Sequence, residues 1–252
     1  MKRIKRRLFY GSICDQEIYT VGDQKEVKKN MQIRPRFLSE EERAQHRDHI
    51  ARVRFLRRFM ATFDPRSLYS TLTFDMEDEI HTVWEAHMIR RQLLRWIRRK
   101  YPNAQVVIVY GFGKHTHRIH FHMVSNGITK EQIEELWVYG TNLRIVHLRE
   151  HNFYDGEDRG QDYTGLANYL FNHWTPEIGG HRYHATRNLN EPDEPDEPTV
   201  PKRKYSADKP PSAPPGYKLV EVKCTTYGYQ LFRYVWDVEN QPLPEPRKRK
   251  RG

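Results

Sequence analysis

Two histidines separated by one residue stand in the segment Arg118-Ile-His-Phe-His-Met-Val124. Side chains alternate faces along an extended strand, so His120 and His122 share one face while Phe121 points to the other. Two imidazoles so placed form a bidentate metal site, and the hydrophobe between them suits a core on the far face. With 13 histidines in the chain, chance pairs are also expected, so His-x-His alone is equally a pair of ordinary imidazoles. His115 and His117, in Lys114-His-Thr-His-Arg118, fall in the turn before the strand, where they either touch nucleic acid or are simply exposed.

The second chemical element is Asp162-Tyr-Thr-Gly-Leu-Ala-Asn-Tyr-Leu-Phe-Asn-His-Trp174, an amphipathic helical pattern. Tyr169 and His173 are four residues apart and therefore lie on one helix face. A phenol attacks phosphorus when its proton is withdrawn and the charge developing on the phosphate is neutralised, which a metal at the histidine pair would do. The alternative for Tyr169 is a half-buried packing residue.

The elements that must position these groups follow from periodicity. Ser39-Glu-Glu-Glu42 is a capping box opening a helix with Ile50, Val53, Leu56 and Met60 at helical spacing, and Asp64-Pro65 stops it. Arg43, Arg47, Arg52, Arg54, Arg57 and Arg58 crowd the rest of that helix, as a solvated face or a DNA-facing one. Leu68–Phe74 reads as a strand, and Met76 to Lys100 as a long helix with Ile80, Trp84, Ile89, Leu93 and Ile97 on its apolar stripe. Gln105–Tyr110 is an unbroken apolar run typical of a central strand, pairing as a hairpin with Arg118–Val124. Thr129 caps a short helix ending at Gly140, Leu143–Leu148 is a strand, and Gln161–His173 is the tyrosine helix. The resulting βαββαβ order predicts an α+β fold, a ferredoxin-like or RRM-like antiparallel sheet with helices on one face and the other face open.

Around this core, residues 1–38 read as a basic, irregular segment with one β-like stretch at Glu17–Val21, and 39–189 as the catalytic domain. Residues 190–216 read as a linker of acidic-proline repeats too poor in apolar residues to pack, 217–237 as a β-hairpin, and 238–252 as a basic tail. The formal charge of +10 directs attention to polyanions, nucleic acid first. Two distant cysteines, Cys14 and Cys224, suggest neither a disulfide framework nor a zinc site. A mean hydropathy of −0.91, with no apolar run near the roughly 18–20 residues that span a bilayer, predicts a soluble cytoplasmic protein with no membrane partner.

Taken together the motifs resemble the His-hydrophobe-His (HUH) endonucleases, and more closely the rolling-circle replication-associated proteins of Gram-positive bacteria and their mobile elements. The likeness runs from about Arg43 to Leu189. It rests on Ala61–Phe74 as the first strand motif, on His120-Phe-His122, on Ile133-Glu-Glu-Leu-Trp-Val-Tyr-Gly140 as the helix end after it, and on Leu166-Ala-Asn-Tyr169 with the trailing Thr186-Arg-Asn-Leu189. The resemblance implies that His120 and His122 bind Mg²⁺ or Mn²⁺ and that Tyr169 attacks single-stranded or locally melted DNA. The products are a 5′-phosphotyrosine and a free 3′-hydroxyl, in a reaction that also rejoins strands. It further implies a host helicase and polymerase as partners, and no small-molecule cofactor.

Two positions depart from the family pattern. Asn172 stands where the family usually has a lysine three residues after the tyrosine, and Gly111 stands near the place of a strand carboxylate that often completes the metal site. His173 is the candidate third ligand, or else a proton acceptor, and Tyr163 is the reserve nucleophile. Arg54, Arg57, Arg58, Lys114, Arg118 and Arg187 are the candidate DNA-contacting residues. Competing readings are a non-catalytic origin- or single-strand-binding protein of the same fold, an RNA-recognition module, and a metal phosphohydrolase that releases free products.

Overall fold

The computed structural model describes residues 2–21, 39–113, 117–173, 183–224 and 229–238. The chain is a mixed α+β protein with antiparallel sheets and four α-helices among the described residues, and it divides into two compact units. One comprises His46–Glu150 and Tyr163–Glu191; the other comprises Met1–Gln45, His151–Asp162 and Pro192–Gly252. No helix among the described residues is long and apolar enough to cross a membrane.

The first unit is built on a five-stranded sheet. Its strands are β3 (Leu68–Leu72), β4 (Gln105–Phe112), β5 (Ile119–Asn126), β6 (Leu143–His147) and β9 (His184–Ala185), in the order β6-β3-β5-β4-β9. Every pairing within it is antiparallel. Helices α2 (Val83–Lys100) and α3 (Lys130–Leu136) are opened by complete capping boxes, Thr82 with Glu85 and Thr129 with Gln132. The Thr82 box divides the helix expected over Met76–Lys100: Met76–Asp78 is a separate 3₁₀ turn, and Trp84, placed on the apolar stripe by periodicity, is 62% exposed.

Phe121 and Met123 of β5 and Ile108 and Tyr110 of β4 join Leu93, Leu94 and Ile97 of α2 and Ile133 and Leu136 of α3 in one core. The opposite face, which carries the histidines, is not open. Val107, Val109 and Val124 on that face are fully buried, and α4 (Thr164–Asn172) lies over it through Tyr169 and the C-capping His173. Helix α1 (Glu40–Thr62) packs on α4 through Phe55 and Phe171, whose ring centroids are 5.7 Å apart. The expectation of helices on one face only is therefore corrected. An unbroken apolar strand needs cover on both sides, and the Phe55, Phe59 and Met60 stripe of α1 needs a surface to bury.

In the second unit, β1 (Lys2–Tyr10), β2 (Ile13–Val21), β10 (Tyr217–Cys224) and β11 (Gln230–Trp236) form one sheet in the order β1-β2-β11-β10. Residues 2–21, irregular by sequence except at Glu17–Val21, thus share a sheet with the C-terminal hairpin, because alternating Cys14 and Ile18 meet Phe232 and Tyr234 in a small core. Arg233 of β11, its side chain 14% exposed, donates to the buried Asp15 of β2 and to the Tyr10 hydroxyl, so this unit holds a largely buried ion pair with hydrogen-bonded partners. Within the segment expected to be a linker, Asp193 and Thr199 make isolated antiparallel bridges to Phe9 and Lys5. A two-stranded hairpin, β7 (Phe153–Tyr154) and β8 (Glu157–Asp158), turns through Asp155-Gly156, both at positive φ, as an Asp-Gly hairpin turn requires.

Candidate metal and tyrosine centre

Strand register assembles the centre. Thr71 pairs with His122 across β3 and β5, and Gly111 pairs with His120 across β4 and β5, so all four lie on the face beneath α4. Period-two alternation sends Phe121 into the opposite core, where it is fully buried, as its place between the histidines predicts. His173 reaches the same point from the end of α4. Its N–H caps the helix on the Leu170 carbonyl, and its side chain turns down onto the strand.

The three imidazoles each offer a nitrogen within 4.8 Å of the others, an arrangement that can hold a metal ion. Nε2 of His120 and Nε2 of His122 are 3.0 Å apart, and the His173 ring lies 4.7 Å from that of His122. Nε2 of His173 is buried without a hydrogen-bond partner. Burial, reinforced by the like charges of His120 and His173, pushes His122 down to about 3. Burial, with His120 beside it, also lowers His173. Neutral imidazoles are what metal coordination needs.

Tyr169 is 44% exposed, and its hydroxyl lies 3.0 Å from Nε2 of His122. Partial burial, followed by the neighbouring Tyr69, raises its phenol, so the proton is held until something draws it off. The other ring nitrogen of His122, Nδ1, is 2.7 Å from the Tyr69 hydroxyl and 3.4 Å from the Thr71 hydroxyl, both on β3. These two groups fix the ring's orientation and free Nε2 for the centre. Sequence patterns did not single out Tyr69 or Thr71. Their signal was their alternation on the Leu68–Phe74 strand, which becomes legible only once that strand is paired with β5.

Gly111 and Asn172 each meet a specific neighbour. A Cβ built on Gly111 would lie 1.9 Å from Nε2 and 2.1 Å from Cδ2 of His173, so the missing side chain at 111 is the space that the His173 ring fills. Asn172 accepts a hydrogen bond of 2.8 Å from the guanidinium of Arg52, which also lies 5.2 Å from the Phe171 ring. The guanidinium of Arg52, from α1, thus stands beside Asn172. Arg52 stood among the crowded arginines of that helix, and nothing in its spacing separated it from the rest.

Other candidates are placed as follows. Tyr163 is 2% exposed with its hydroxyl donating to the Arg149 carbonyl, and burial raises its phenol strongly, so it is engaged away from the centre. Arg118 pairs with Glu79 at 3.0 Å and donates to the Phe74 carbonyl, and Arg58 pairs with Glu191 at 2.9 Å. Arg54 and Arg187 are exposed, and Arg57 is half-buried. His117 is exposed at positive φ, while Lys114 and His115 lie outside the described residues. Comparison with family models, curated proteins and solved structures finds no match to the chain.

Proposed function

We propose that the chain is a DNA strand nicking and joining enzyme of the His-hydrophobe-His type, acting on single-stranded or locally melted DNA to start rolling-circle replication or mobilisation of a genetic element. The observation that carries this reading is the convergence of the Tyr169 hydroxyl on His122 at 3.0 Å, within a cluster of three histidines. The order β6-β3-β5-β4, with α2 and α3 as the connections, supports a ferredoxin-like core. The order of the motifs along the chain supports the family resemblance. A bacterial cytoplasm, with a host helicase and polymerase as partners, belongs to the same proposal.

His120, His122 and His173 are the residues that would hold the divalent ion. Their all-imidazole donor set, with the orphaned Nε2 of His173 among them, fits Mn²⁺ or a later transition ion better than Mg²⁺, which prefers oxygen ligands. When bound, the ion supplies Lewis-acid polarisation of the scissile phosphate. Tyr169 provides the nucleophile: its hydroxyl releases its proton to solvent as its oxygen bonds to phosphorus, the bond from phosphorus to the 3′-oxygen breaks, and the 3′-oxygen takes up a proton from solvent. A 5′-phosphotyrosine and a 3′-hydroxyl result, and the same hydroxyl attacking the phosphotyrosine reseals the strand without ATP. Tyr69 and Thr71 hold His122 in register, and Arg52 brings positive charge beside Asn172, three residues from the nucleophile.

The test uses labelled single-stranded oligonucleotides tiling the DNA around the chain's own gene, incubated with the protein and Mn²⁺. A labelled protein band that survives denaturation, and that disappears in Tyr169→Phe and His120→Ala, is the expected result. Tight binding with no such band on any oligonucleotide, with Mn²⁺, Co²⁺ and Mg²⁺ in turn, would replace this reading with that of a DNA-binding protein.

A further inference from the structure

The acidic-proline repeat and the basic first strand are unused by the chemistry above, and the second unit brings them together. Arg3, Lys5 and Arg7 share one face of β1 by alternation. The ammonium of Lys5 and the guanidinium of Arg203 both lie over the ring of Tyr205, at 5.3 and 5.2 Å, so one aromatic ring gathers two cations. Burial, then the like charges of Arg7 and Arg203, lowers Lys5, as expected where cations crowd. No carboxylate among the described residues pairs with Lys5 or Arg203.

β1 is an edge strand, and the acidic segment closes that edge. Phe9 and Asp193 exchange backbone hydrogen bonds of 2.8 and 2.7 Å, and Lys5 and Thr199 exchange bonds of 2.7 and 2.8 Å. Pro195 and Pro198 have no N–H to donate, so the ladder is interrupted between the two bridges. There Asp196 forms an ion pair with Arg7, while Glu194 and Glu197 are exposed beside it. An ion pair with side chains 40% and 47% exposed is weakly held against competing anions.

We propose that the Lys5, Arg7 and Arg203 cluster is a second binding surface for single-stranded DNA, and that Asp196 and Glu197 of the acidic-proline segment are its internal competitor. A phosphate of the strand takes the place of the Asp196 carboxylate on Arg7, and the neighbouring phosphates meet Lys5 and Arg203. DNA is the occupant argued for because a polyanion that neutralises several cations at once gains from counterion release, which one carboxylate does not. The proposal rests on the reading of DNA as substrate and is independent of the tyrosine chemistry.

The test is the binding of fluorescein-labelled dT20 to the full chain without metal, followed by anisotropy across a salt series. Asp196→Asn with Glu197→Gln is expected to tighten binding several-fold. Lys5→Gln with Arg7→Gln is expected to weaken it about tenfold and to lower the slope of log affinity against log salt by about 1 to 1.5. In that second background the acidic-segment change is expected to have no further effect. Glu131→Gln with Glu134→Gln, an equal charge change elsewhere, separates this from a gain due to net charge alone. Equal tightening by the control pair, persistence of the acidic-segment effect without Lys5 and Arg7, or displacement of dT20 by oligoglutamate as effectively as by unlabelled dT20 would each overturn the proposal. Because no metal is present, loss of this surface and loss of the nicking reaction are read separately.

Discussion

The imidazole of His173 occupies the space that any side chain at residue 111 would need, with its Nε2 only 1.9 Å from where a Cβ on Gly111 would sit. The glycine on the strand and the histidine at the helix end are therefore one feature.

Gly111→Ala is expected to push the His173 ring off the strand and to weaken Mn²⁺ binding by about tenfold or more, comparable with His173→Ala, because a ligand is displaced in both. Calorimetric titration with Mn²⁺ measures this. Wild-type affinity in Gly111→Ala would mean that His173 is not a ligand.

Tyr69→Phe removes the hydroxyl that faces Nδ1 of His122 at 2.7 Å without touching Nε2. An outer partner of this kind is worth roughly 10–100-fold in metal affinity, so the variant is expected to bind Mn²⁺ that much more weakly while folding normally. Co²⁺ absorption spectra of the variant and the parent report whether the coordination geometry has changed as well as the affinity.

Arg52→Ala takes the guanidinium away from Asn172. The expected outcome is about tenfold slower formation of the covalent DNA adduct with little change in metal affinity, on the order of one lost charge-assisted interaction. Asn172→Lys in the Arg52→Ala background is expected to restore part of the rate, because it returns a cation to the same place. An unchanged adduct rate in Arg52→Ala would remove Arg52 from the reaction.

His122 gives a pH dependence whose sign follows from burial. Its folded value of about 3 lies below the ordinary 6.5, so between these values the unfolded chain takes up a proton that the folded chain refuses. The associated stability is fully present above pH 6.5 and is lost as pH falls from 6.5 toward 3. Urea unfolding of the metal-free protein at pH 7.5, 6 and 5 is expected to show falling midpoints, with a shallower fall in His122→Asn. Parallel falls in the two proteins would assign the acid sensitivity to other groups.

Much of the first unit was legible in the sequence because it is set by local rules. The capping box at Thr129, the apolar run of β4 and the alternation around Phe121 each follow from neighbours a few residues apart. The pairing of His120 with His122, and of Tyr169 with His173, was legible for the same reason: a strand repeats every two residues and a helix about every four.

What the sequence could not carry was everything that joins distant residues. That α4 covers the histidine face, that His173 fills the gap at Gly111, that Tyr69 orients His122, and that Arg52 answers Asn172 all depend on strand register and on which apolar faces find each other. The same holds for residues 2–21, which take a partner more than 200 positions away, as in the contact of Arg233 with Asp15. Spacing along the chain fixed which side chains point the same way, whereas burial of apolar surface, which has no preferred direction along the chain, decided which of them meet.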